Sequence, residues 1–296
     1  MPNYITLSEP ANPAQPRHVA YYEFGNRDNP NKIICLHGLS RNGLDFESLA
    51  GDLANYYHVI CPDMAGRGKS DWLTHKMDYN YSTYISDIEE LSAALSLVQV
   101  DWIGTSMGGI VGMMLAAQKP AFIKRLVLND CGAIVSAQGL KRIAGYLGRE
   151  TIFPDKDGAM DYIKTTYACF GLSLEEHWRQ LFQSSFIPLK DGRYALAYDP
   201  EISAPFHQVN DQQERVDIDL SAAWNQVKCP TLILRGEASD LLSHATAVSM
   251  SENKPQTTLV EFSGIGHAPA LLDRSQITTV TDWLKQTAEG CVIPYS

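Results

Sequence analysis

Ser106 stands between two glycines in Gly104-Thr105-Ser106-Met107-Gly108, directly after an apolar run. A serine hydroxyl becomes a useful nucleophile only when a base takes its proton. That base in turn needs an acid to hold its tautomer, and attack on a carbonyl needs donors for the oxyanion. The glycine-serine-glycine pattern alone is weak. With glycine near 7% of an average protein, it arises by chance in roughly one chain in ten of this length. Its context must carry the reading. Here the serine follows a strand-like stretch, "VDWIG" (100–104), and opens a helix-like one, "MGGIVGMMLAAQKP". A sharp strand-to-helix turn holds such a hydroxyl clear of a sheet, beside a helix N-terminus whose free N–H groups favour a developing anion.

Among eight histidines, His267 in "SGIGHAPAL" follows the last predicted strand, and flanking glycines could bring its imidazole to a sheet edge. His244 is the competitor, at the start of a predicted helix. For the acid, Asp240 lies in the loop after the penultimate strand, and Asp130, at the end of "LVLND", is the alternative. Ser106, Asp240 and His267 follow the chain order serine, aspartate, histidine. The amide of Leu39, beside Gly38 in "CLHGLSRNG", and that of Met107 are the expected oxyanion donors. Arg41 and Thr105 are candidate substrate-binding residues, with a structural salt bridge as the competing reading for Arg41.

The elements that must position these residues alternate. "RHVAYYEFG" alternates apolar and polar residues, as a half-buried strand does. "KIICLHG", "HVICPD", "IKRLVLND", "TLILRG" and "TLVEFSG" are short β-type runs, and the first two are solidly apolar, as strands covered on both faces are. "FESLAGDLANY", "YSTYISDIEELSAALSL" and "SQITTVTDWLKQTA" carry helical spacing between and after them. The expected fold is α/β, a mostly parallel sheet of about eight strands flanked by helices. Residues 133–220 interrupt the alternation with helical patterns and little strand signal beyond "GRYALAYDP". The expected organisation is therefore a core of 1–132 and 221–296 with a mainly helical cap of 133–220.

Five motifs, in order, resemble the capped α/β-hydrolases: "LHGLS" at 36–40, "PDMAGRGKSD" at 62–71, "GTSMGG" at 104–109, "LRGEASD" at 234–240 and "GIGHAP" at 264–269. The resemblance runs from end to end and implies the fold, the triad and the oxyanion hole. Serine at the nucleophile position disfavours the epoxide hydrolases and haloalkane dehalogenases, which place aspartate there. "HGLSRN" and Thr105 depart from the "HGSGPG" and the asparagine of the carbon–carbon hydrolases. The function expected is a carboxylesterase-type serine hydrolase that cleaves carboxylic esters through an acyl-enzyme. A lactonase, a carbon–carbon bond hydrolase, an acyltransferase or a non-catalytic ligand-binding relative is the alternative.

The 296-residue chain carries a net charge of −10, which argues against nucleic acid or anionic membrane as a partner. Its start, "MPNYITLSEP", lacks a signal-like n-region and h-region, so a cytoplasmic location is expected. The expected partner is a small-molecule ester, with the chain a monomer or homodimer. The six cysteines show no C-x-x-C pair and no Cys/His cluster has ligand spacing, so neither disulfides, a metal nor any cofactor is expected. "GRGKS" (66–70) is no phosphate loop, because Asp63 occupies the position where one needs glycine. It reads instead as a turn braced by Asp63 and Arg67.

Overall fold

The computed structural model describes residues 1–149, 151–207 and 216–288. Cys291, one of the cysteines read above, lies outside them. Eight strands form one sheet: β1 (Asn3–Ser8), β2 (Pro16–Phe24), β3 (Lys32–Leu36), β4 (His58–Pro62), β5 (Val100–Thr105), β6 (Ile123–Asn129), β7 (Thr231–Gly236) and β8 (Thr257–Phe262). Their spatial order is β1-β2-β4-β3-β5-β6-β7-β8. The pairs β1–β2 and β2–β4 are antiparallel, and the others are parallel.

The solidly apolar runs are the interior strands. In β4 all five residues are buried, and in β3 only the leading lysine is not. Both faces of these strands are covered. On one side lie α1 (Glu47–Leu53) and α9 (Arg274–Ala288), whose Leu49, Leu53, Val280 and Leu284 meet Ile33, Val59, Val127 and Leu232 of the sheet. On the other lie α2 (Tyr81–Ala94) and α3 (Met107–Gln118), whose Ile88, Leu91, Val111 and Leu115 pack with Ile34, Trp102 and Leu126. The helix α3 is buried almost all round, as its unbroken apolar sequence requires.

The strand order places the site. From β3 the chain moves outward to β4 and returns on the other side of β3 as β5. Loops leaving the carboxyl ends of β3 and β5 therefore diverge from neighbouring strands, and ligand crevices in α/β sheets form at such a point. The register then sets the depth. Leu36 pairs with Gly104, Thr105 pairs with Asn129, and Leu234 pairs with Asn129 on its other side. Gly38, Ser106 and Asp130 thus emerge at nearly one level along three adjacent strands.

Between β6 and β7 runs a long insertion. It carries α4 (Ala137–Tyr146), α5 (Lys156–Thr166) and α6 (Glu175–Ser185). Three short strands, Ile152–Phe153, Phe186–Pro188 and Tyr194–Leu196, make a small antiparallel sheet of their own. Of these, only the last falls in a stretch whose sequence looks β-like. The others are two or three residues long, too short for a period to show. At the root of the insertion Ile134–Val135 pairs with Ile218–Asp219. Past it come α7 (Ser221–Gln226) and α8 (His244–Glu252). Among the described residues no helix is long and apolar enough to cross a membrane.

Candidate functional site

Ser106 has φ 52° and ψ −114°, a left-handed turn that a non-glycine residue adopts only under constraint from its surroundings. The constraint is the two flanking glycines. A Cβ on Gly104 would lie 2.3 Å from the Gly108 backbone, and one on Gly108 would lie 2.1 Å from the Leu36 carbonyl oxygen. The chain passes through this turn only because both side chains are absent. Serine at the N-cap of a helix ordinarily accepts a hydrogen bond from the first turn. Ser106 makes no such bond. Its Oγ faces His267 Nε2 instead, at 3.0 Å.

The other ring nitrogen of His267, Nδ1, lies 2.7 Å from Asp130 Oδ2. Asp130 is fully buried and also sits in the left-handed region, at φ 55°. Its carboxylate accepts the Gly236 amide on Oδ1 at 2.9 Å and the Ser239 hydroxyl on Oδ2 at 2.5 Å. With three donors converging on it, this carboxylate is fixed in orientation and compensated for its burial.

The sequence reading put Asp240 in this place, and the geometry corrects it. Asp240 turns to the insertion, where Arg142 of α4 donates Nε–H to Oδ2 at 2.6 Å and an Nη2 proton to Oδ1 at 2.9 Å. Partial burial works against the Asp240 charge, but the Arg142 fork outweighs it and holds the carboxyl below its usual range. Two physical reasons separate the acids. Asp130 follows β6, the immediate neighbour of the strand that leads into Ser106, whereas Asp240 follows β7, one strand spacing of about 4.8 Å further away. The loop after β7 also spends Ser239, not Asp240, on the inward hydrogen bond. His244, the alternative base, is exposed and pairs with Glu261 at 3.0 Å, away from Ser106.

The loop after β3 lies against the serine. A Cβ on Gly38 would be 3.8 Å from Ser106 Cβ. Among the described residues neither the Leu39 amide nor the Met107 amide donates to another group of the protein, and Met107 at the first position of α3 has no intrahelical acceptor. Two side chains hold this loop. His37, fully buried, accepts the Met64 amide on Nε2 at 3.0 Å, so its Nδ1 carries the proton and donates to the Gly38 carbonyl at 2.7 Å. Burial pushes its pKa down to about 3. Arg67, also fully buried, reaches the Leu39 carbonyl with Nε–H at 2.9 Å and stacks between Tyr79 and Tyr84. The brace expected at "PDMAGRGKSD" thus extends to the loop after β3. Asp63 accepts the Gly43 and Lys69 amides, although burial raises its carboxyl to about 6.

His37 gives a pH-dependent expectation. The unfolded chain protonates this imidazole near its ordinary 6.5, while the folded chain resists until about 3. A base with a depressed folded pKa contributes stability above its unfolded pKa and loses it as pH falls from there toward the folded value. The gap in unfolding free energy between wild type and His37→Gln is therefore expected to be about 2 kcal/mol narrower at pH 5 than at pH 8. Denaturant titration of both proteins at the two pH values measures it, and a gap independent of pH would refute the neutral, buried assignment.

The candidate substrate-binding residues fare differently. Arg41 is committed to structure. It donates to both oxygens of Asp45 (2.8 and 2.6 Å), to Ser185 (2.6 Å) and to Ser184 (2.8 Å), and lies over the Tyr167 ring. It is a strut between the loop after β3 and the insertion. Thr105 accepts a hydrogen bond from Asn129 Nδ2 at 3.0 Å and borders a hollow next to the serine, which it shares with Gly38, Phe170, Gln180, Leu181 and Ala268. The sequence reading missed His37, Asn129, Ser239 and Gln180. None carries a spacing signal, because the contacts of Asn129, Ser239 and Gln180, and that of His37 with Met64, join residues far apart in sequence.

The insertion covers this site from above. Tyr167 lies 3.3 Å from Ser40, Cys169 Sγ donates to the His267 carbonyl at 2.9 Å, and Asn42 donates to the Ser184 carbonyl. Ser106 and His267 are 8% and 9% exposed, so the pair lies in a nearly dry setting.

The model of the alpha/beta hydrolase fold matches residues 31–273, which span β3 to β8 and include Ser106, Asp130 and His267. The chain is 37% identical over 271 residues to a 3-hydroxybutyrate-oligomer hydrolase of Cupriavidus necator, covering 90% of this chain and 92% of that protein. Its backbone superposes on an alpha/beta hydrolase from Novosphingobium aromaticivorans with TM-score 0.83, at 34% identity and over 96% of this chain and 98% of that one. The structure of a Rickettsia typhi protein matches with TM-score 0.89, at 34% identity and over 97% of this chain and 99% of the other. From the strained serine turn to the matched length, fold and relatives agree that this chain belongs to the alpha/beta hydrolase family and is a hydrolase.

Proposed function

We propose that the protein is a serine ester hydrolase for short 3-hydroxyacyl esters, including small oligomers of 3-hydroxybutyrate. The observation that carries the reading is the unbroken line Ser106 Oγ, His267 Nε2, His267 Nδ1, Asp130 Oδ2, with contacts of 3.0 and 2.7 Å. The substrate class draws its support from the Cupriavidus necator relative, whose match covers nearly all of both chains.

In this mechanism Ser106 attacks the ester carbonyl as His267 Nε2 takes its proton. Asp130 keeps the Nδ1–H tautomer and stabilises the imidazolium without itself becoming protonated. The amides of Leu39 and Met107 hold the oxyanion at the dipole-positive end of α3. His267 then returns the proton to the leaving alkoxide, leaving Ser106 acylated. Water, deprotonated by the same imidazole, releases the acid and restores the serine. The insertion acts as a cap, anchored by Arg41, Tyr167 and Cys169, and excludes bulk water from the acyl-enzyme.

Release of 3-hydroxybutyrate from its linear dimer and trimer, followed beside 4-nitrophenyl esters of two to twelve carbons, tests the reading. Ser106-dependent cleavage of the oligomers, and nitrophenyl ester rates that fall off sharply beyond short acyl chains, are expected. Failure on the dimer with strong activity on long-chain esters would exclude this substrate class.

A further inference from the structure

The hollow beside the serine holds a polar atom with no partner. It lies between the oxyanion loop, through Gly38, and the residues around the triad, through Thr105 and Ala268, with Gln180 of α6 in its wall. Gln180 Oε1 accepts the Ser48 hydroxyl at 3.0 Å, while Gln180 Nε2 is buried without a hydrogen-bond partner. A buried, unpaired amide of this kind costs on the order of 1–3 kcal/mol and is rare. A structure tolerates it where a ligand completes the bond. Arg41 and Asp45 are also in the wall, but they neutralise each other, so nothing here favours a charged guest.

The size of the hollow narrows the guest. Its free volume is ≈ 30 Å³, room for about two water-sized groups. Phe170, Leu181 and Leu272 make part of the wall apolar, and Gln180 adds a polar group to it. One apolar and one polar group on a single carbon match that lining, as carbon 3 of a 3-hydroxybutyryl chain provides with its methyl and its oxygen. Its walls include Gly38, in the loop bearing the Leu39 amide, and Thr105, the residue preceding Ser106.

We propose that Gln180 is the specificity-determining residue of the acyl pocket, its Nε2–H donating to the oxygen on carbon 3 of the acyl chain. This rests on the ester-hydrolase reading above and adds a residue that reads the substrate. A site built to hydrogen-bond a substrate oxygen discriminates against the analogue that lacks it, because its own polar group is then left unpaired.

The test compares kcat/KM for 4-nitrophenyl 3-hydroxybutyrate and 4-nitrophenyl butyrate in wild type and in Gln180→Met, which keeps the length and removes the donor. The preference for the hydroxylated ester is expected to fall about tenfold or more in the variant, a ratio insensitive to general damage. An unchanged preference, with wild type active on both esters, overturns the role of Gln180 and leaves the hydrolase reading standing. A wild type inactive on both esters overturns the hydrolase reading and this inference with it. A second variant, Gln180→Glu, replaces the donor with an acceptor and is expected to lower the preference as well, and its retention there would also count against the proposal.

Discussion

Ser106→Ala is expected to lower kcat by about 10⁶, the scale on which removing the nucleophile of a serine triad acts, while the protein stays folded. The two halves of this expectation have separate causes. Activity vanishes because no other described hydroxyl meets the base: His267 Nε2 has Ser106 Oγ at 3.0 Å as its partner. Stability barely moves because the side chain makes no helix cap and its one bond is worth about 1 kcal/mol. The strained φ of 52° persists in the variant, since the glycines at 104 and 108 set it. Steady-state rates on a short ester together with a thermal melt measure both halves. Residual turnover within a hundredfold of wild type would remove Ser106 from the mechanism.

The second large effect separates the two aspartates. Asp130→Asn is expected to cost about 10⁴ in kcat, because an amide offers a donor where the Nδ1–H needs an acceptor and so favours the wrong tautomer. Asp240→Asn is expected to stay within about tenfold of wild type. Its carboxylate serves Arg142, through a fork of 2.6 and 2.9 Å that ties α4 to the loop after β7, so its loss loosens the insertion and leaves the imidazole its hydrogen bond to Asp130. Parallel kinetics of the two variants on one ester decide the matter. A large loss in Asp240→Asn with a mild one in Asp130→Asn would restore the acid that the sequence pattern favours.

That pattern shows what a sequence makes legible here. Ser106 and His267 are local signals: a glycine-flanked serine between a strand and a helix, and a histidine in a glycine-rich turn after the last strand. The turn geometry is encoded within five residues, so it can be read. The choice of acid is not local. Asp130 and Asp240 both follow sheet strands, and both fit the chain order serine, aspartate, histidine, so order alone does not separate them. What decides between them is the order β5-β6-β7 across the sheet and the presence of Arg142 on a helix nearly a hundred residues away. The parallel sheet was legible because fully covered strands read as unbroken apolar runs. The insertion's small sheet was not, because strands of two or three residues have no period. Arg41 illustrates the same limit. Its distance from Gly38 suggested a substrate contact, but Ser184 and Ser185, its partners, are more than 140 positions along the chain.

The most direct test of the central claim is to catch the acyl group on Ser106. Wild-type protein mixed with excess 4-nitrophenyl 3-hydroxybutyrate and quenched in acid within milliseconds should carry the added mass of one hydroxybutyryl group. Peptide mapping should place that group on Ser106, and the adduct should be absent in Ser106→Ala. Acid quenching preserves the ester because it disrupts the folded site and leaves water without a positioned base. Turnover without any adduct under conditions where hydrolysis of the acyl-enzyme is rate-limiting, or an adduct on another residue, would contradict the account.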